Sequence, residues 1–271
     1  MGEFTSGPVW HKVTPEAISC MFEPTIPFGE PELIRVSAFQ RYLHEPGGPR
    51  ARGVVLETVT RPAALSPSLL ADLSRFEHSG HASEALEVLA ACVRHSQQVV
   101  VHLQMGDMVV PLTVFAVERL VHCPISLDAL LKERPTELRV LHVEPAVLRP
   151  PGDNEKALIG EDQHYHPLRP VLWEFALRGS RGTLLPEIAG PVAYRVAPGL
   201  ELSGLRVTGA LMAAIQRLQG DSVSLRELTD WPGFDTERAA RLLNALYLQS
   251  GLIISRTHRA ASDSWFGVLS R

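Results

Sequence analysis

Lysine is almost missing from this chain: only Lys12, Lys132 and Lys156 carry ammonium groups, and every other cationic side chain that stays charged is arginine. With abundant Ala, Leu and Pro, that bias points to GC-rich bacterial coding rather than to a functional demand. Cysteine is scarce too. Cys20, Cys92 and Cys123 are odd in number and far apart, which gives neither a disulfide framework nor a zinc-ligand spacing. No apolar run reaches about 18 residues, so no membrane partner is expected. The start, Met1-Gly-Glu-Phe, lacks the basic and apolar regions of a secretory signal, so a cytoplasmic location is expected. Basic excess is lacking as well. Net charge is −4; residues 1–150 hold 13 Lys/Arg against 17 Asp/Glu, 151–200 hold 5 against 6, and 201–271 hold 8 against 7. That balance argues against a protein held to nucleic acid by bulk charge. Neither a phosphate-binding G-x-x-x-x-G-K-[ST], a dinucleotide G-x-G-x-x-G after a strand, nor a nucleophile-elbow G-x-S-x-G occurs. The expectation is a protein that is not an enzyme and needs no cofactor.

What is present builds a core. At 271 residues, 45% hydrophobic and 21% charged, the chain has material for two domains. The pattern is α+β. It divides into an α/β domain at 1–149, a linker at 150–167 rich in breakers, and a domain at 168–271 that opens on a helical and irregular lead-in. Prolines punctuate the first fifty residues, leaving short helices at Pro15–Phe22 and Pro31–Leu43. Gly53–Val59 is β-rich, Pro67–Phe76 and His81–His95 have helical periodicity, and Gln98–Gln104 is a strand around Val99-Val-Val101. Met105-Gly-Asp107 then links it to a second strand at Met108–Val117, an antiparallel hairpin. Ser126–Lys132 is a short helix and Leu138–Val143 a strand. This hairpin-and-long-helix order over residues 53–145 is similar to the roadblock/LC7 fold of small dimerising regulators. That resemblance implies a sandwich-like domain that contacts a small GTPase or a second copy of itself; an unrelated α+β sheet has the same order.

Residues 205–269 are the most legible. An apolar helix at Gly209–Gln219 carries Leu211, Met212, Ile215 and Leu218 at helical spacing. Ser222-Val223 is a short strand. Ser224-Leu-Arg-Glu227 fits a capping box for a second helix that stops at Asp230-Trp-Pro-Gly233. Asp235 caps a third helix that runs to Ser250, with Gly251 as its C-terminal cap. Leu252–Ser255 and Ser264–Leu269 would be a strand pair. The order resembles a winged helix-turn-helix, which implies that the third helix is a recognition surface. Its outward positions by periodicity are Glu237, Arg238, Arg241, Asn244, Ala245, Leu248 and Gln249. Arg238, Arg241 and Asn244 suit guanine and adenine edges, and Arg256, His258 and Arg259 would add phosphate contacts. Glu237 and Leu248 suit a protein partner instead, or packing on the other domain.

Three further groups bear chemistry. Asp162, His164 and His166 are candidate metal ligands, with the two imidazoles on one side if the segment is extended. His122-Cys123 and His142-x-Glu144 could form a Cys/His pair. Arg178-Gly-Ser-Arg-Gly182 is a basic turn able to hold an anion. The leading expectation is a regulatory or adaptor protein acting through protein contact; the alternative is a DNA-binding transcriptional regulator, and the remote one a metal-dependent enzyme.

Overall fold

Along Gln98–Met105 (β2), Val99, Val101 and Leu103 are fully buried while Gln98, Val100 and His102 alternate with them. That period of two sets one sheet face against the core. Gly106 takes φ 58 at the head of the turn, a left-handed position glycine adopts without penalty, and the chain returns as β3 (Met108–Phe115) in register Met105↔Met108. The computed structural model describes residues 33–44, 64–79, 84–132, 136–152, 160–207 and 209–257. The expected elements at Pro15–Phe22, Gly53–Val59 and Ser264–Leu269 lie outside these residues.

Within them the chain has mixed helices and antiparallel sheets, an α+β fold class. The larger sheet has the order β5-β2-β3-β4-β6, where β4 is Leu120–His122, β5 Arg139–Pro145 and β6 Tyr165–Pro167; β1 (Ile34–Arg35) pairs with the start of β3, whose last residues pair with β4. The expected helix at Pro31–Leu43 is therefore shorter. Ile34 and Arg35 are strand, Ile34 is exposed, and only Val36–His44 is helical (α1). The expected linker also ends in structure, because Tyr165–Pro167 adds β6 to the sheet.

Helix α1 covers one sheet face through Phe39 and Leu43, which cluster with Val109. The other face carries the main core. There α2 (Pro67–Ser79), α3 (Ala85–Arg94), α4 (Leu127–Lys132) and α5 (Leu168–Arg178) pack their apolar side chains with Val101, Leu103, Leu112 and Val114. Ser126 caps α4 by accepting the Ala129 N–H at 3.2 Å.

Beyond α5, a second sheet is ordered β8-β7-β9, with β7 at Ala193–Val196, β8 at Val223–Ser224 and β9 at Leu252–Ser255. Three helices, α6 (Ala210–Gly220), α7 (Leu225–Thr229) and α8 (Thr236–Leu248), follow the spacing read from the sequence. The sheet's central strand does not. It comes from before α6, inside a stretch expected only to lead into the helices, and it bonds β8 on one side and β9 on the other. Tyr194 anchors it by donating its hydroxyl proton to the Ile188 carbonyl at 2.6 Å.

The caps are as expected at the starts of the helices. Ser224 Oγ accepts the Glu227 N–H, and the Glu227 carboxylate accepts the Ser224 N–H at 2.6 Å. Asp235 Oδ1 accepts the Arg238 N–H at 2.7 Å. At the end of α8 the left-handed residue is Ser250 (φ 57), not Gly251. Gly251 is instead closely packed: a Cβ there would lie 2.5 Å from Leu200 Cδ1, so the Leu200 side chain would have to move. Ser224→Ala removes a buried cap and is expected to cost about 1 kcal/mol in urea unfolding, with the fold kept.

Candidate functional site

Helix α5 decides what α8 can do. Val171, Leu172, Trp173, Glu174, Phe175 and Ala176 are all buried, so the helix has no solvent face over these turns. A helix apolar on nearly every side must be covered on nearly every side. Helix α3 packs on α5 within the core cluster they share with the sheet, and α8 packs along it as well.

The third-helix stripe predicted to face outward is therefore largely internal. Asn244 is fully buried; its Oδ1 accepts the Leu185 N–H and its Nδ2 donates to the Thr183 carbonyl, both at 2.9 Å. Ala245 and Gln249 are buried too, and Gln249 exchanges hydrogen bonds with Arg169 at 3.0 and 3.1 Å. Leu248 is half-buried against the core. Arg241 donates to the Gly179 carbonyl at 2.9 Å and the Arg181 carbonyl at 3.3 Å, and it pairs with Glu237 at 2.6 Å. Asn244 and Arg241 thus bond the segment 179–185, and Gln249 bonds Arg169. Arg238 and Arg256 remain exposed; Arg259 and His258 lie outside the described residues.

Segment 179–185 is clamped from its other side by Arg181. The basic turn read as a possible anion holder does hold anions, and they belong to the chain. Arg181 Nη1 donates to Glu84 at 2.9 Å and to Glu87 at 3.0 Å, while its Nε and Nη2 donate to the Thr183 and Leu184 carbonyls. The Arg181 and Glu87 side chains are about 6% and 5% exposed, so breaking the pair would strand a buried charge. Gly182 lies close to Glu237, so a Cβ there would meet Glu237 Cγ at 2.8 Å and that side chain would have to shift.

Where α5, α6 and the first turns of α8 meet, a cleft of about 600 Å³ opens. Four guanidinium groups line it (Arg178, Arg206, Arg238, Arg241), with three carboxylates (Glu174, Asp235, Glu237) and the apolar Leu177 and Leu211. Arg178 pairs with Glu174 at 3.2 Å and also donates to the Leu131 carbonyl. The Arg206 backbone is pinned by the buried Trp173, whose indole N–H donates to its carbonyl at 3.2 Å. Arg238 lies 5.4 Å from the Phe234 ring and donates to the Gly233 carbonyl at 2.8 Å. Periodicity singled out Arg238 and Arg241. Arg206 was missed because a loop residue has no period to place it.

The histidines form a different group from the one predicted. His164 belongs to a 3-10 turn (Asp162–His164) and only His166 to β6, so the extended spacing that would align the pair does not hold. Asp162 is exposed. The His122 ring lies 5.7 Å from His164 and 4.9 Å from Tyr165, and His166 is the cross-strand partner of Val121. Among the described residues no group of three or more His, Cys, Asp and Glu side chains is arranged to hold a metal ion. Burial, with further repulsion from His164 and His166, pushes the His122 imidazole down to about 4. Burial and His164 likewise lower His166, whose Nε2 is buried without a hydrogen-bond partner.

The anticipated Cys/His pair also separates. Cys123 is buried and burial pushes its thiol up to about 11, which removes the thiolate a nucleophile needs. Glu144 engages His102 at 2.8 Å, and His102 in turn lies face to face with His142 at 6.0 Å. His102 was not singled out, because strand register places it beside His142 and sequence does not give register.

Two outcomes follow. Asn244→Ala leaves the buried Leu185 N–H unpaired and takes one of two donors from the Thr183 carbonyl, and is expected to cost about 1–3 kcal/mol, whereas Arg238→Ala, nearly two turns earlier, changes stability by under about 0.5 kcal/mol; urea denaturation distinguishes them. The His122 imidazole holds its proton less well folded than unfolded, so the unfolded chain takes up protons first as pH falls. Stability is therefore expected to drop between about pH 6.5 and 4, with His122 contributing about 1 kcal/mol between pH 7 and 5 after allowance for its partial solvent contact. His122→Phe should flatten that part of the profile, and an unchanged slope would remove His122 as its cause. No protein-family model, curated protein or solved structure matches this chain.

Proposed function

We propose that this chain is a non-enzymatic regulatory or adaptor protein that acts through protein–protein contact. The observation that carries the reading is the internal engagement of Asn244 and Arg241 with segment 179–185. A helix that reads a major groove needs its base-facing side chains free along about two turns. Here Arg238 is the member of the predicted triad that stays exposed, and residues 201–271 carry eight cationic against seven anionic residues. Low positive excess weakens the phosphate contribution that dominates duplex affinity. In this reading the elements from α6 to β9 serve as a winged-helix scaffold, and its recognition surface is the open start of α8 rather than its length. The larger sheet with α2, α3 and α4 serves as the roadblock-like partner-binding domain, with a small GTPase or a second copy of the chain as occupant. No helix among the described residues is long and apolar enough to cross a membrane, which is compatible with such a role.

Light scattering and co-purification of the full chain test the reading, together with gel-shift titration against genomic duplex fragments at about 50 mM salt. The expected result is self-association or a stoichiometric protein partner, and no duplex binding. Salt-sensitive duplex binding that Arg238→Ala weakens would transfer the assignment to a DNA-binding regulator. A folded monomer that captures neither protein nor DNA would overturn the proposal.

A further inference from the structure

We infer that the cleft between α5, α6 and the start of α8 is a binding site for a small amphipathic anion, a carboxylate or phosphate ester with an apolar body. Three features of the site point to that chemistry, and none depends on whether a protein partner is found.

The first is charge left over after internal pairing. Arg178 is matched by Glu174 and Arg241 by Glu237, while Asp235 accepts the Arg238 backbone N–H as the α8 cap. Arg238 itself has no carboxylate within ion-pair distance among the described residues, and its side chain bonds only the Gly233 carbonyl. Arg206 meets Asp128 at 3.7 Å with both side chains about three-quarters exposed, a contact that solvent largely screens. A planar guanidinium with unused N–H groups presents a fork that fits carboxylate or phosphate oxygens two at a time.

The second is the lining between those guanidiniums. Leu177 and Leu211 are only partly buried and contribute apolar surface inside a charged rim. An inorganic anion would leave that surface wet, and an uncharged apolar molecule would leave the Arg238 charge unmatched. A molecule with both parts satisfies both. The third is size and rigidity. About 600 Å³ falls within the range of ordinary small-molecule sites. Part of the wall is tied to the rest of the chain, because Trp173 bonds the Arg206 carbonyl and segment 179–185 bonds the Arg241 side chain.

Calorimetric titration of the full chain with octanoate, 1-naphthoate and phenyl phosphate tests the assignment, with inorganic phosphate and octyltrimethylammonium as comparisons. At least one amphipathic anion is expected to bind with a stoichiometry of one, at least tenfold tighter than inorganic phosphate, and the cation should not bind. Arg238→Gln is expected to weaken binding tenfold or more and Arg206→Gln severalfold, with unfolding midpoints unchanged because both side chains are exposed. Arg226→Gln, on α7 and outside the cleft, should leave affinity intact. Absence of saturable binding by all three anions overturns the inference, as does equal binding of the cation or unchanged affinity in Arg238→Gln.

Discussion

The structure depends on the need to cover α5. Its turns from Val171 to Ala176 place apolar atoms in every direction, with Glu174 as the polar member and Arg178 as its partner. Covering such a rod takes two surfaces. The β-sheet with α3 provides one and α8 adds another, so a helix whose own pattern suits a recognition surface becomes part of the interior. Full burial of one aromatic or aliphatic side chain contributes about 1.5–3 kcal/mol, and part of that value at Val171, Leu172, Trp173 and Phe175 comes from α8. Polar contacts with an external ligand along α8 would have to outweigh that sum before the helix could leave.

Burial of α8 brings a polar problem that segment 179–185 solves. Its backbone groups pass between α3 and α8, out of reach of regular secondary structure, and each needs a partner. Asn244 serves two of them and Arg241 two more, while Arg181 adds the Leu184 carbonyl, shares the Thr183 carbonyl with Asn244, and has its charge matched by Glu84 and Glu87. Residues that look like instruments of recognition in the sequence are thus hydrogen-bond partners for the backbone of a loop. Arg, Asn and Gln suit nucleic acid and buried backbone for the same reason, their several donors in fixed geometry.

Local signals were legible and distant ones were not. The β2–β3 hairpin follows from alternating apolar residues around Gly106, and the starts of α7 and α8 from Ser224, Glu227 and Asp235, all within a few positions of each other. By contrast, Arg181 meets its carboxylates 94 and 97 residues away in sequence, and Asn244 meets Thr183 and Leu185 about 60 away. No periodicity connects them. The histidines fail for an intermediate reason: His164 and His166 are two apart, but a 3-10 turn ends between them, and one broken residue of extension is enough to undo the alignment. In the cleft, Arg238 was identifiable from its place on a helix, while Arg206 sits on a loop.

The origin of β7 bears on how this chain can be divided. The helices α6, α7 and α8 look like a self-contained cassette when read from residue 205 onward. Their sheet, however, is threaded through its middle by Ala193–Val196, which belongs to the stretch upstream. A fragment cut before α6 would lose the strand that joins β8 to β9, together with the Tyr194 anchor to Ile188. As a unit of inheritance or exchange, then, the C-terminal region is bounded by topology rather than by its run of helices. Any recombination that kept it working would have to carry the chain from before Leu185.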